Sequence, residues 1–150
     1  MTKNTAPNTC GAVVTYSATA TDNCMPPLSV TTQSGIPSGM AFPKGVTTVV
    51  MKATDGAGLT KTCSFKVTVN DQQPPSIICP QSISTTTAAG QCTSLPVTYS
   101  TPTATDNCMP PGPALARLTG FASGQPFPEG ATVVVWRATD ASALTATCSF

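Results

Sequence analysis

The clearest pattern along the chain is alternation. In residues 61–70, KTCSFKVTVN, Cys63, Phe65, Val67 and Val69 fall on one face and polar side chains on the other. A period of two predicts a half-buried strand. Residues 47–55, TTVVMKATD, and 131–140, ATVVVWRATD, form the longest apolar runs. Shorter β-branched and aromatic runs stand at 13–17 (VVTYS) and 97–100 (VTYS), and a further strand is predicted at 76–79. Pro and Gly clusters separate these runs at hairpin-like intervals. No helical period is sustained, and 15 prolines would interrupt most helices. The predicted fold class is all-β.

The pattern then repeats. TATDNCMPP occupies residues 19–27 and returns at 103–111. FPKG at 42–45 returns as FPEG at 127–130, ATD at 53–55 returns at 138–140, and CSF at 63–65 returns at 148–150. A fixed period of about 85 residues predicts a tandem array of small domains, each about the length of an immunoglobulin-like sandwich. The expected boundaries are residues 1–72 and 73–150. They meet in a seam, DQQPPSIICP at 71–80, that two prolines should stiffen. Aligning the copies sets Met1 against Ile83 and Phe150 against Phe65. On that alignment the first repeat lacks its first strand and the second has a truncated last strand. The missing piece resembles the junction at 66–82. Open sheet edges are templates for strand addition. The expected partners are therefore copies of the protein or neighbouring repeats, arranged end to end in a filament.

Composition narrows the function classes. Charged residues make up 9% of the chain, against roughly a quarter in typical domains, and net charge is +1. No basic face for nucleic acid is visible, and no apolar stretch is long enough to insert into a membrane. There are 7 cysteines and no histidine. Cys10, Cys24 and Cys63 match Cys92, Cys108 and Cys148, which leaves Cys79 without a copy. Recurring cysteines in small units point to disulfides and an oxidising, extracellular setting. Their spacing is too wide for a zinc knuckle.

The ordered motifs resemble the hyalin repeat, or HYR domain. They are ICP at 78–80, GQC at 90–92, PTATDNC at 102–108, SGQPFPEG at 123–130 and CSFKVTVND at 63–71. The resemblance implies immunoglobulin-like sandwiches from extracellular proteins of adhesion, matrix or surface filaments. The form with GxC plus DNC is most similar to repeats of long bacterial surface proteins. One departure is the loop after ATD. The family often has Gly-Asn there, whereas this chain has GAGL at 56–59 and ASAL at 141–144. The reading is of tandem immunoglobulin-like β-sandwich repeats stapled by disulfides. The expected function is structural and adhesive, in a surface filament, stalk or matrix protein. The alternative is a carbohydrate- or ligand-binding accessory module of a secreted protein, with glycans as partners.

Candidate sites follow. Spacing alone does not fix disulfide connectivity. The expected pairs are Cys79–Cys148, which would tie the entering strand to the last one, Cys92–Cys108, and its copy Cys10–Cys24. Cys63 is then unpaired within the chain, or bonded to a neighbouring subunit. Asp71, Asp106 and Asp140, with Asn107, are candidate calcium ligands, because hard cations take carboxylate and carbonyl oxygens. No other metal or cofactor is expected. Of the six acids, Asp22 and Asp55 recur as Asp106 and Asp140, at matched turn positions where Asp commonly binds its own backbone. With no histidine to act as base, no enzyme is expected. Trp136 takes the place of Met51 and reads as core, and the MPP strings at 25–27 and 109–111 read as rigid loop.

Overall fold

Alternating β-branched residues and frequent turns give eleven strands and no helix among the described residues, which are 1–24 and 28–150 of a computed structural model. The MPP string at 25–27 lies outside them. The chain divides into two units, Met1–Gln72 and Gln73–Phe150.

The first unit contains β1 (Thr2–Asn4), β2 (Gly11–Val13), β3 (Ser29–Ser34), β4 (Ala41–Pro43), β5 (Gly45–Thr54) and β6 (Thr60–Asn70). One sheet has the order β1-β6-β5-β3, and β2 pairs with β4 in a second. The longest ladder is the β5–β6 hairpin, in register from Gly45 opposite Val69 to Thr54 opposite Thr60. Its period of two sends Val49 and Met51 of β5 and Val67 and Val69 of β6 into the core. The small sheet answers with Ala12 directly opposite Phe42, and Val14 follows β2 into the same core. Tyr16 closes it from the side. Its ring meets Phe65 edge-on at 5.0 Å, and its hydroxyl donates to the Ile36 carbonyl at 2.7 Å. A buried Tyr that finds such a partner avoids the desolvation cost of its polar end.

The second unit contains β7 (Ser76–Ile78), β8 (Thr103–Thr105), β9 (Ala114–Thr119), β10 (Val135–Thr139) and β11 (Thr145–Ser149). The sheets are β11-β10-β9 and β7-β8. Val134 and Ala138 are its most buried apolar side chains. The tyrosine is copied. Tyr99 meets Phe150 edge-on at 5.0 Å and donates to the Phe121 carbonyl at 2.6 Å. A glycine is copied for a steric reason. Gly35 and Gly120 both adopt positive φ, and a Cβ on Gly120 would lie 2.8 Å from the Val134 backbone.

The copies differ where a strand has no neighbour. β8 is a strand because β7 pairs with it, from Ser76 opposite Thr105 to Ile78 opposite Thr103. Its copy at 19–21 forms no strand, and no strand pairs with it, among the described residues. Conversely, β6 continues to Asn70, between β5 and the parallel edge strand β1. The β10–β11 ladder ends at Val135 opposite Ser149, so the strand expected over 131–140 is confined to Val135–Thr139.

Two other expected strands are shorter than predicted. The run at 13–17 is a strand only as far as Val13, and 97–100 contributes a single bridge, Val97 to Gln125. Side chains explain this. Ser38 Oγ accepts from the Tyr16 N–H at 2.8 Å and donates to the Tyr16 carbonyl at 2.7 Å. Ser123 does the same for Tyr99, at 2.8 and 2.9 Å. A serine hydroxyl satisfies the backbone groups that a ladder partner would otherwise take.

Candidate functional site

Each chemistry-bearing residue sits at a strand end or in a turn, and local structure accounts for most of them. Cys79 follows β7 directly and Cys148 lies in β11. They form a disulfide with Cα atoms 5.7 Å apart. The bond ties the first strand of the second unit to its last. Cys24, Cys63 and Cys92 are exposed free thiols, whereas Cys10 and Cys108 are not free. The expected Cys92–Cys108 and Cys10–Cys24 pairs are therefore not formed. The reason is visible in the second unit. Residues 92–97 are bonded to 125–129, with Cys92 accepting from the Glu129 N–H and Val97 donating to Gln125. The chain then passes through β8 before it reaches Cys108, which is buried. Cys92 thus stays at the surface while Cys108 is enclosed.

Three of the acids, Asp55, Asp106 and Asp140, bind backbone. Asp55 Oδ1 accepts from the N–H groups of Ala57 and Leu59, at 2.9 and 2.8 Å. Asp140 Oδ1 accepts from Ser142 and Leu144, each at 2.8 Å. Each aspartate thus closes the turn between the last two strands of its unit. Gly58 and Ala143 supply the positive φ that the turn needs. Asp106 Oδ2 accepts from the Cys108 N–H at 2.9 Å. Asp71 is buried in the first unit, with Lys44 Nζ at 3.6 Å and Thr5 Oγ1 at 3.5 Å.

A turn role and a charge role separate cleanly by mutation. Asp55→Asn keeps an oxygen for both N–H groups and is expected to stay within about 0.5 kcal/mol of the parent. Asp55→Ala leaves two donors without their acceptor and is expected to cost about 1–2 kcal/mol. Urea unfolding reads both variants. Equal losses would show that the carboxylate charge, rather than the turn, is what matters.

Of the candidate calcium ligands, Asp71 belongs to the first unit, and Asp106, Asn107 and Asp140 belong to the second. Within the second unit, Asp106 and Asp140 stand at one pole. Thr105 is opposite Ser76, Thr139 is opposite Ala114, and the loop from Asp106 leads into Ala114. Asp106 Oδ1 and Asp140 Oδ2 are buried with no hydrogen-bond partner among the described residues. Two carboxylate oxygens are fewer than the six to eight oxygens of a calcium shell. Asn107, backbone carbonyls or water would have to complete it. Trp136 stands opposite Cys148 on the β10–β11 ladder, as Met51 stands opposite Cys63 on β5–β6.

The sequence did not point to a groove in the first unit. It encloses about 510 Å³. Its lining includes Thr19, Ala20 and Thr21, Met51 and Ala53 of β5, and Cys63 of β6. None of these small side chains suggests a site by its type. The available signal was their alignment with residues that border β7 in the second unit.

The HYR domain family matches the chain twice, over residues 1–69 and 70–150. Hyalin of Strongylocentrotus purpuratus is 37% identical over 99 residues, covering 64% of this chain and 8% of that protein. The sushi, von Willebrand factor type A, EGF and pentraxin domain-containing protein 1 of Rattus norvegicus is 31% identical over 130 residues. That match covers 87% of this chain and 4% of the rat protein, and the Mus musculus protein gives the same figures. The chain therefore spans less than a tenth of the length of these relatives.

Proposed function

The chain belongs to the HYR domain family, and from that premise we propose that it is a structural and adhesive segment of an extracellular surface filament, stalk or matrix protein. The observation that carries the reading is the Cys79–Cys148 bond. A covalent tie from first strand to last suits a small sandwich outside the cell, where disulfides persist and a modest core needs reinforcement. The length of the matched relatives supports it, because in them the matched stretch is a small part of a long polypeptide. Asp55, Asp106 and Asp140 support it too, since each accepts from backbone N–H groups of its own loop. The units are non-catalytic modules that meet neighbouring repeats end to end, with glycans as further partners.

Immuno-electron microscopy on intact producing cells tests this. Antibodies to the segment should decorate extended material outside the cell. Cys79 and Cys148 should also be recovered as a disulfide in non-reducing peptide maps of the native protein. Label confined to the cell interior, or both cysteines recovered as thiols, would overturn the reading.

A further inference from the structure

Two aspartates of the second unit each use one oxygen for a turn and keep the other inside the protein. Asp140 is 9% exposed. Its Oδ1 accepts from the Ser142 and Leu144 N–H groups, each at 2.8 Å, which leaves Oδ2 to another partner. In Asp106 it is Oδ2 that accepts, from the Cys108 N–H at 2.9 Å, and Oδ1 that is left. Both remaining oxygens are buried and have no hydrogen-bond partner among the described residues. Neither aspartate forms an ion pair there, whereas Asp71 of the first unit has Lys44. The Asx turns account for one oxygen of each carboxylate. They do not account for a second oxygen withdrawn from water, which is costly unless a cation or a donor meets it. The two aspartates share a pole. The loop that begins at Asp106 leads into Ala114, and Ala114 stands opposite Thr139, the neighbour of Asp140.

We propose that Asp106 Oδ1 and Asp140 Oδ2 bind one calcium ion at this pole of the second unit. Asn107 adds an oxygen ligand. Its side-chain oxygen is buried, and its amide nitrogen is engaged by Cys108 Sγ at 3.6 Å. Backbone carbonyls of residues 106–113 and water complete the shell. The donor set selects the ion. It is all oxygen, the chain has no histidine, and Cys108 is held in a disulfide, so soft metals find no thiolate here. Two carboxylates neutralise a divalent cation. Each is already fixed by its turn, which suits the variable geometry of calcium better than the strict octahedron of magnesium. The turn bonds and the ion use different oxygens, so the loops need not reopen to bind. The proposal goes beyond the structural and adhesive reading and does not rest on it.

The test uses the full chain, freed of divalent cations and held at constant ionic strength with sodium chloride. Isothermal titration with calcium chloride should give one site per chain with a dissociation constant of about 0.1–1 mM, the weak class of extracellular modules. At 10 mM calcium the second unit's folding equilibrium constant should then rise about 10- to 100-fold, read as a higher melting temperature. Asp106→Asn and Asp140→Asn each keep an oxygen for the turn and lose the charge. Both should bind at least about tenfold more weakly. Without calcium both should melt no lower than the parent, because a buried charge has been removed. Asp55→Asn changes a turn of the first unit and should bind like the parent. Melting that calcium leaves unchanged, an equal shift from magnesium, or parental binding by the Asp106 and Asp140 variants would overturn the proposal.

Discussion

Replacing Cys148 with serine is expected to destabilise the second unit by about 4 kcal/mol. The disulfide spans a sequence separation of 69 residues. Closing a loop of that length in the unfolded chain is worth about 4 kcal/mol in the chain-entropy description. For a domain of this size each kcal/mol moves the melting temperature by roughly 4–8 °C, so a fall of roughly 15–30 °C is expected. The chain contains its own control. Cys63 occupies the matched position in the first unit as an exposed free thiol. Cys63→Ser removes no cross-link within the chain and should change stability by less than about 0.5 kcal/mol. Differential scanning calorimetry should show only the second unit's transition moving in Cys148→Ser. Equal shifts in the two variants would mean that the cross-link contributes little.

Phe42→Ala should have a comparable effect on the other unit. Phe42 is fully enclosed by the core of Ala12, Val14, Val49, Val67 and Val69. Its ring lies 6.4 Å from Tyr16 in an edge-on arrangement. Truncating a buried Phe removes its transfer free energy and leaves a cavity, which together cost about 3–5 kcal/mol. The copy of this residue, Phe127, is only half-buried, with Phe121 5.3 Å away. Phe127→Ala should therefore cost roughly 1–2 kcal/mol, in proportion to the smaller area removed from water. Urea denaturation of both variants checks the asymmetry. Equal losses would show that the two cores are built alike despite their different burial.

What could be read from sequence depended on whether the cause lay in one strand or in its neighbours. The long hairpin was visible because Val67 and Val69 alternate with polar residues, and burial follows that alternation. The Tyr16 and Tyr99 strands were drawn too long because Ser38 and Ser123 take over their hydrogen bonds from a distant point in the chain. β3 and β9 gave little signal. SVTTQS and ALARLT are mostly exposed, so no apolar face marks them. The Cys92–Cys108 expectation failed because spacing does not record that Cys92 lies at the surface and Cys108 inside. The turn aspartates were legible because Asp at a strand end with Gly or Ala following is a local arrangement. The groove was not. Its lining of small side chains, Thr19, Ala20, Thr21 and Ala53, marks no site by residue type.

The parallel pairing of β1 with β6 governs how the first unit would respond to pulling. Met1 accepts from the Thr68 N–H and Thr5 donates to the Asn70 carbonyl, each at 2.8 Å, at the two ends of this short ladder. If the start of β1 and the end of β6 are drawn apart, the load runs along the strands and across these bonds. They are strained together and must fail together. In a hairpin such as β5–β6, opened at one end, the bonds would instead peel one after another. The edge strand has only three residues, Thr2–Asn4. Its orientation nonetheless places the unit's resistance to tension where force enters, and the long hairpin stays unloaded until that clamp slips.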